Sequence, residues 1–348
     1  MTGADCESMA TIREGSMEVS TMRSRKSGHP SALSSIELCA GAGGQAIGLE
    51  AAGFEHHCLV EIDNHCCDTL RLNRPKWDVR QEDLVQFSAA AFKGIDLLAA
   101  GLPCPPFSIA GKQLGAADER NLFPAALRIV DETRPKAVMI ENVRGFLDAV
   151  FEDYRKNLKD QLAKLGYKAD WHLLNASDFG VPQLRPRVVI VAIKHGYDDG
   201  FGWPEPSPQP PMTVGETLYS LMAANGWKFA RAWRERANDI APTLVGGSKK
   251  HGGPDLGPTR ARKAWASLGV DGLGLWDAPP PANFVGSPRL TVEMCARLQG
   301  FPETWKFAGR KTAAYRQVGN AFPPPVARAV AFKLRESITE RRSVLKIA

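Results

Sequence analysis

The chain has 348 residues, 44% hydrophobic and 24% charged, with a formal net charge of +6 at neutral pH. Such a balance belongs to an ordinary soluble globule, and no apolar run approaches the ~20 residues that would span a bilayer, so no membrane partner is expected. The length suits one large α/β domain with a smaller appendage, and the mild positive charge permits an acidic polymer as partner without demanding one.

Residues 1–30 are rich in Ser, Met and charge and lack the apolar segment of a signal peptide. They read as a disordered leader, and Met22 offers a later start. The seven cysteines are odd in number and form no C-x-x-C pair, which points to free thiols in a reducing, cytoplasmic compartment. His56-His57-Cys58 and His65-Cys66-Cys67 look superficially like metal ligands. One group falls in a strand pattern and the other in the helix after it, with no matching second pair, so no metal is expected.

From Ser34 to Ile193 short apolar strands alternate with helical stretches. The expected strands are Ile36–Ala40, Cys58–Ile62, a short one ending at Asp83, Ile95–Ala100, Ala137–Ile140, Trp171–Leu174 and Val188–Ile193. The expected helices are Gln45–Ala52, Asn64–Asn73, Phe123–Thr133 and Tyr154–Leu165. The alternation predicts a doubly wound α/β sheet over 31–197 with helices on both faces, its ligands beyond the carboxyl ends of the strands.

Those ends carry the chemistry. Cys39-Ala40-Gly41-Ala42-Gly43-Gly44 leaves the first strand and opens a helix, where glycines admit a ligand close to free backbone N–H groups. Glu61, at the end of the second strand, suits both hydroxyls of a ribose, and Asp83 suits an adenine amine. On these features alone a nicotinamide dinucleotide remains open, although the G-x-G-G spacing leaves a pyrophosphate cradle incomplete. Gly101-Leu102-Pro103-Cys104-Pro105-Pro106-Phe107-Ser108 follows the next apolar run. Three prolines fix φ around one thiol, so the sulfur can be aimed at little entropic cost. Glu141-Asn142-Val143 ends the following strand, and Gln183-Leu184-Arg185-Pro186-Arg187 leads into the last. Arginines two apart on an extended chain face one side, so Arg185 and Arg187 are expected at one site.

Residues 198–288 are rich in Gly and Pro and predict a smaller, irregular or β-rich domain. Within it, residues 231–263 gather eight cationic groups against three acidic ones, and Gly246–Gly253 encloses Lys249 and Lys250, a surface suited to phosphate. From 289 to 348 the chain returns to helix, with Thr291 as N-cap of Val292–Gln299 and Val326–Ser337 closing the fold.

In this order the pieces resemble the C5-cytosine DNA methyltransferases of bacterial restriction–modification systems, over roughly 34–193 and 289–331. The resemblance rests on Gly101–Ser108, Glu141-Asn142-Val143, Gln183–Arg187, Gln317-Val318-Gly319-Asn320 and the Thr243-Leu244 pair. It implies a Rossmann-like S-adenosylmethionine-dependent sheet, with 198–288 as the target-recognition domain. Cys104 is then the nucleophile, Glu141 the partner of the cytosine N3 and amine, and Arg187, supported by Arg185, the partner of its O2. Cys39, Gly41, Gly43, Gly44, Glu61, Ile62, Asp83, Leu84 and Asn320 are assigned to S-adenosylmethionine. Ser108, Thr243, Lys249 and Lys250 are assigned to double-stranded DNA. Cys39 stands where many members place an aromatic, and Pro105 where glutamine is frequent. The expected protein is a monomer, working beside an endonuclease with which it forms no stable complex.

The chemistry accounts for the residue types. Cytosine C5 is too weak a nucleophile to take a methyl group until a thiolate adds at C6 and makes the ring an enamine. An acid at N3 neutralises charge as the adduct forms, and the base must first leave the helix. An amino-methyltransferase acting on cytosine N4 or adenine N6 would share the Pro-Pro-Phe run but has no need of Glu141 with two arginines. A transfer-RNA enzyme of the same fold would carry Cys-Phe-Thr, which is absent, and a silent DNA-binding homologue would not need Cys104. A duplex containing 5-fluorocytosine should form an SDS-stable adduct with the protein and none with Cys104→Ala. Continued C5 methylation by that variant would remove Cys104 from the chemistry.

Overall fold

The computed structural model describes residues 32–103, 121–247 and 253–345. Cys104, Ser108, Lys249 and Lys250 lie outside the described residues, as does the expected leader. Strands β1 (Leu33–Leu38), β2 (Phe54–Glu61), β3 (Val79–Gln81), β4 (Leu97–Gly101), β5 (Ala137–Val143), β6 (Tyr167–Asn175) and β7 (Pro186–Lys194) form one sheet in the order β3-β2-β1-β4-β5-β7-β6. All neighbours run parallel except β7, which is antiparallel to both β5 and β6. Helices α1 (Gly44–Ala51), α2 (Asn64–Asn73), α3 (Phe123–Thr133) and α4 (Glu152–Lys164) are the crossovers of the first part of the chain.

Central strands such as β4 are buried throughout, as expected where helices cover both faces. Leu33 of β1 faces a core of Leu49, Met139 and Val191 closed by Val326, Val330 and Leu334 of α10 (Pro324–Leu345). Ile36 and Leu38 face Ile129 of α3 and Leu158 and Leu162 of α4. The edge strand β6 runs longer than the apolar stretch Trp171–Leu174 suggested. Tyr167 and Ala169 are buried while Lys168 and Asp170 point to water, a half-solvated alternation suited to an edge.

Of the two expectations for residues 198–288, irregular or β-rich, the described residues fit the irregular one and add helices. Among the described residues of this segment there are only isolated bridges, at Ala241 and Trp276, and three helices: α5 (Val214–Ala223), α6 (Ala230–Arg236) and α7 (Thr259–Ser267). Thr213 caps α5 by accepting from Glu216 N, while Glu216 returns the bond to Thr213 N, a reciprocal box that satisfies two orphan donors. Trp227, Trp233 and Trp265 build a core continuous with Met294 of α8 (Val292–Leu298) and Tyr315 and Val318 of α9 (Lys311–Asn320). Thr291 caps α8 through Met294 N, as its sequence position suggests.

The α1–α10 contact depends on a missing side chain. A Cβ on Gly48 would lie 2.5 Å from Ala327 Cβ and 2.6 Å from Pro324 O. Gly48→Ala would gain up to ~1 kcal/mol of helix propensity, yet overpacking costs about 1–3 kcal/mol, so packing prevails. Urea unfolding should show a net loss on the order of 1 kcal/mol; a gain would show that α10 yields freely.

Candidate active site

The parallel strands β1 to β5 end at one edge, and antiparallel β7 begins there. The register pairs Gly101 with Glu141 and Val143 with Arg187, so one short stretch of edge gathers β4, β5 and β7. Glu141 and Arg187 stand diagonally across the β5–β7 ladder, with Arg187 Nε 2.8 Å from Glu141 Oε1. Both side chains are largely buried, at 14% and 8% exposure for Arg187 and Glu141. Burial pushes the Glu141 carboxyl above its ordinary range, against the pull of Arg187 and then Arg185. Arg187 Nη1 donates to Pro186 O at 2.8 Å. Arg187 and Glu141 thus bring a guanidinium and a buried carboxyl together at this end of the sheet.

Arg185 does not share that position. It is fully buried, and its guanidinium donates to three main-chain carbonyls: Leu244 O at 2.7 Å, and Gly319 O and Ala321 O at 2.9 Å each. The expectation that both arginines address one site is corrected accordingly. Arg187 meets the carboxyl, whereas Arg185 ties three chain segments together and reaches Glu141 only through its charge. The half-buried Thr243 donates its hydroxyl to Leu184 O.

At the first strand end Cys39 has φ 53°, a left-handed conformation rare outside glycine, and Gly41 and Gly43 follow with φ 54° and 86°. This kink turns the chain from β1 into α1. Glu61, only 8% exposed, accepts Gly41 N at 2.8 Å on Oε2 and Ile62 N and Asp63 N on Oε1 at 2.9 and 2.8 Å. Burial raises its carboxyl above the usual range, and the three N–H bonds oppose that shift. Its Oε2 takes one N–H, which leaves a lone pair for another donor. Asp83 is exposed and uses Oδ1 on Val85 N. Ile62 is 65% exposed at the same edge, whereas Leu84 is buried, so only the main chain of Leu84 is offered. Glu61, Asp83 and Glu37 all act on the Cys39 thiol, which burial above all keeps protonated. The predicted cofactor group therefore converges around Cys39, with Asn320 as the exception. Its amide donates to Gly247 O at 3.1 Å, on the side of the 241–247 segment.

Of the three glycines of this loop, Gly41 alone has open space where a Cβ would lie. A Cβ on Gly41 would meet nothing within 4 Å, whereas one on Gly43 would strike Leu70 and Trp305, and one on Gly44 would come 2.3 Å from Phe322 O. Trp305, which sequence reading missed, braces the loop from behind by donating to Ala42 O at 3.1 Å. Glu37 was missed as well: it is buried beneath the loop with Oε2 unpaired, and burial and then Glu61 raise its carboxyl well above the ordinary range. Its place in an apolar strand pattern was the available signal. His56 serves the core, bonded to Ser35 Oγ and Ala46 O, and no cluster of metal-ligand type occurs among the described residues.

A model of C-5 cytosine-specific DNA methylases matches residues 33–263 and 282–336. The chain is 55% identical over 312 residues to the type II methyltransferase M.NaeI of Lentzea aerocolonigenes, covering 88% of this chain and 75% of that protein. It is 54% identical over 301 residues to M.NgoMIV of Neisseria gonorrhoeae, covering 86% of this chain and 96% of the relative. Among solved structures, a prophage-encoded DNA modification methyltransferase (E. coli) superposes with a TM-score of 0.63 at 25% identity, over 88% of this chain and all of that one.

Removing the guanidinium isolates the buried carboxyl. Arg187→Ala should destabilise the fold by roughly 3 kcal/mol at pH 8, since breaking a buried pair leaves one charge uncompensated. The carboxyl's folded pKa lies above its unfolded one, so the variant's deficit should shrink as the pH falls towards the unfolded carboxylate range and Glu141 is protonated in both states. Denaturation at pH 5 and pH 8 checks this; an equal deficit at both values would show that the pair is not coupled to ionisation.

Proposed function

This chain belongs to the C-5 cytosine-specific DNA methylase family and is a DNA cytosine-5 methyltransferase of restriction–modification type, and on that premise we propose how its residues divide the reaction. The observation that carries the reading is the largely buried pair on β5 and β7, Glu141 with the Arg187 guanidinium 2.8 Å away. A cytosine edge presents an acceptor at O2, an acceptor at N3 and a donor at the exocyclic amine. Arg187 donates to O2. Glu141, kept towards its acid form by burial, donates to N3 and accepts from the amine. Thymine has the opposite polarity at N3 and position 4, so the same pair rejects it.

Cys104 adds to C6 as thiolate, the C5=C6 π electrons move towards C5, and the proton on Glu141 quenches the charge that develops at N3. Methyl transfer to C5 is followed by loss of the C5 proton to a base and expulsion of the sulfur, which restores the ring. When bound, S-adenosylmethionine supplies the electrophilic methyl group. The residues present suit it: the open face at Gly41, the remaining lone pair on Glu61 for a ribose hydroxyl, the outward carboxylate of Asp83 for an adenine amine, and Ile62 as an apolar neighbour. Cys39, Gly43, Gly44 and Leu84 shape that site, while Asn320, assigned to the cofactor by resemblance, bonds instead to Gly247.

Residues 198–288 serve as the target-recognition segment, and Thr243, Lys249, Lys250 and Ser108 are assigned to contacts with DNA. A cytosine reaches this edge only when it is swung out of the duplex, and phosphate contacts from the basic stretch 231–263 offset the few kcal/mol that this costs. The type II methyltransferase names of the relatives support a restriction–modification role, and the reading extends this to a cytoplasmic monomer that protects the sites of a separate endonuclease.

Bisulfite sequencing of DNA from expressing cells should reveal protected cytosines in one sequence context. Glu141→Gln should lower the rate of labelled methyl transfer by about 10²–10⁴ while duplex affinity stays within a few fold. A variant with unimpaired turnover would overturn the assignment of Glu141.

A further inference from the structure

The fully buried Arg185 lies at the meeting point of three segments. Its guanidinium bonds Leu244 O on one side and Gly319 O and Ala321 O on the other. Gln183, two residues earlier and also fully buried, repeats the arrangement. Its Oε1 accepts Leu244 N at 2.9 Å, and its Nε2 donates to Leu298 O and to Gln299 Oε1. Gln299 in turn donates to Ala321 O at 2.7 Å. Between these two side chains the backbone of Leu184 is held as well, its N–H on Ala241 O and its carbonyl accepting the Thr243 hydroxyl.

Each of the tied segments leads towards a different ligand. Leu244 follows Thr243, assigned above to DNA, and continues through Val245 into Gly246 and Gly247, the start of the stretch 246–253 read as suited to phosphate. Gly246 lies against Gly319 so closely that a Cβ on Gly319 would fall 2.3 Å from Gly246 N. On the other side, Ala321 and Phe322 press on Gly44, at the start of the helix that the cofactor loop opens. A guanidinium is planar and presents its donors in a fixed fork, so carbonyls bound to it cannot shift independently without losing a charge-assisted bond.

We propose that Arg185 is a positioning residue that couples the DNA-facing segment 243–247 to the cofactor loop, so that duplex and cofactor strengthen each other's binding. This rests on the reading of 243–247 as part of the DNA surface. Order imposed on that segment by phosphate contacts is passed through the guanidinium to 319–322 and on to Gly44. By linkage, cofactor binding must tighten duplex binding by the same factor. Lysine keeps the charge, but its three donors radiate from one nitrogen and cannot reproduce the fork that spans Leu244 O on one side and Gly319 O and Ala321 O on the other.

The test is calorimetric titration of the full chain with S-adenosylhomocysteine, alone and with a duplex carrying the methylated site. The wild type should bind at least about fivefold tighter in the presence of duplex. Arg185→Lys should bring that ratio within about twofold of unity while both ligands still bind separately. If Arg185→Lys melts below the working temperature, Gly246→Ala serves instead, since its methyl would lie 2.4 Å from Arg316 O and part the same segments. A wild-type ratio of one, or an unchanged ratio in the soluble variant, overturns the coupling. Val245→Glu, at a side chain 48% exposed, separates the two claims. It should weaken duplex binding about tenfold by repelling phosphate, and unchanged affinity would overturn the DNA-facing reading and the coupling built on it.

Discussion

A carboxyl group taken out of water is tolerated only if it stays protonated or finds a cation, and Glu141 is held between those two outcomes. Burial favours its proton, and the Arg187 guanidinium at 2.8 Å favours its charge. A group balanced in this way can lend a proton to a ring nitrogen and take it back without a large change in solvation. The balance requires that Arg187 arrive at the same edge as Glu141, which the antiparallel β7 makes possible. Had β7 run parallel to β5, the start of that strand would lie at the opposite edge of the sheet.

The rest of the edge is organised to keep that pair in place. Gly101 lies next to Glu141 across the β4–β5 ladder, where a side chain would press on the Cys39 carbonyl 3.2 Å away. The cysteine loop therefore leaves β4 directly beside the turn that opens the cofactor helix. Glu61 seals that turn by accepting three main-chain N–H groups, and Trp305 supports it from behind. Arg185 and Gln183 then connect the edge to the helical segment whose core merges with α8 and α9. The strand ends, the turn after β1 and the segments at 244 and 319–321 are thus joined by buried polar contacts, many of them to main chain.

Two features of the chain remain outside this scheme. Gln45 is buried with both amide atoms unpaired, and Asn142 keeps an unpaired Nδ2 behind Glu141. Buried amides without partners are costly, so both mark places where the neighbourhood is under tension.

Alternating apolar runs and helical stretches were sufficient to establish the doubly wound sheet, because strands buried on both faces leave long hydrophobic signatures. Asn64–Asn73 and Phe123–Thr133 could be bounded from the sequence because Asp63 caps the first helix and a clear apolar face defines the second. The family was legible in Gly101–Ser108, Glu141-Asn142-Val143 and Gln183–Arg187, since those residue types at strand ends answer to one chemistry. The helices of 198–288 were hidden by their Gly and Pro content, although the Thr213-x-x-Glu216 box was a readable signal for α5. Spacing alone could not separate Arg185 from Arg187: two arginines on one strand face are equivalent until the chain folds. Tertiary structure decided that one meets a carboxyl and the other three carbonyls, because the acceptors come from segments 59 to 136 residues away along the chain. Strand direction, the hidden Glu37 and the brace at Trp305 belong to the same class, since each depends on which distant surfaces close over a side chain.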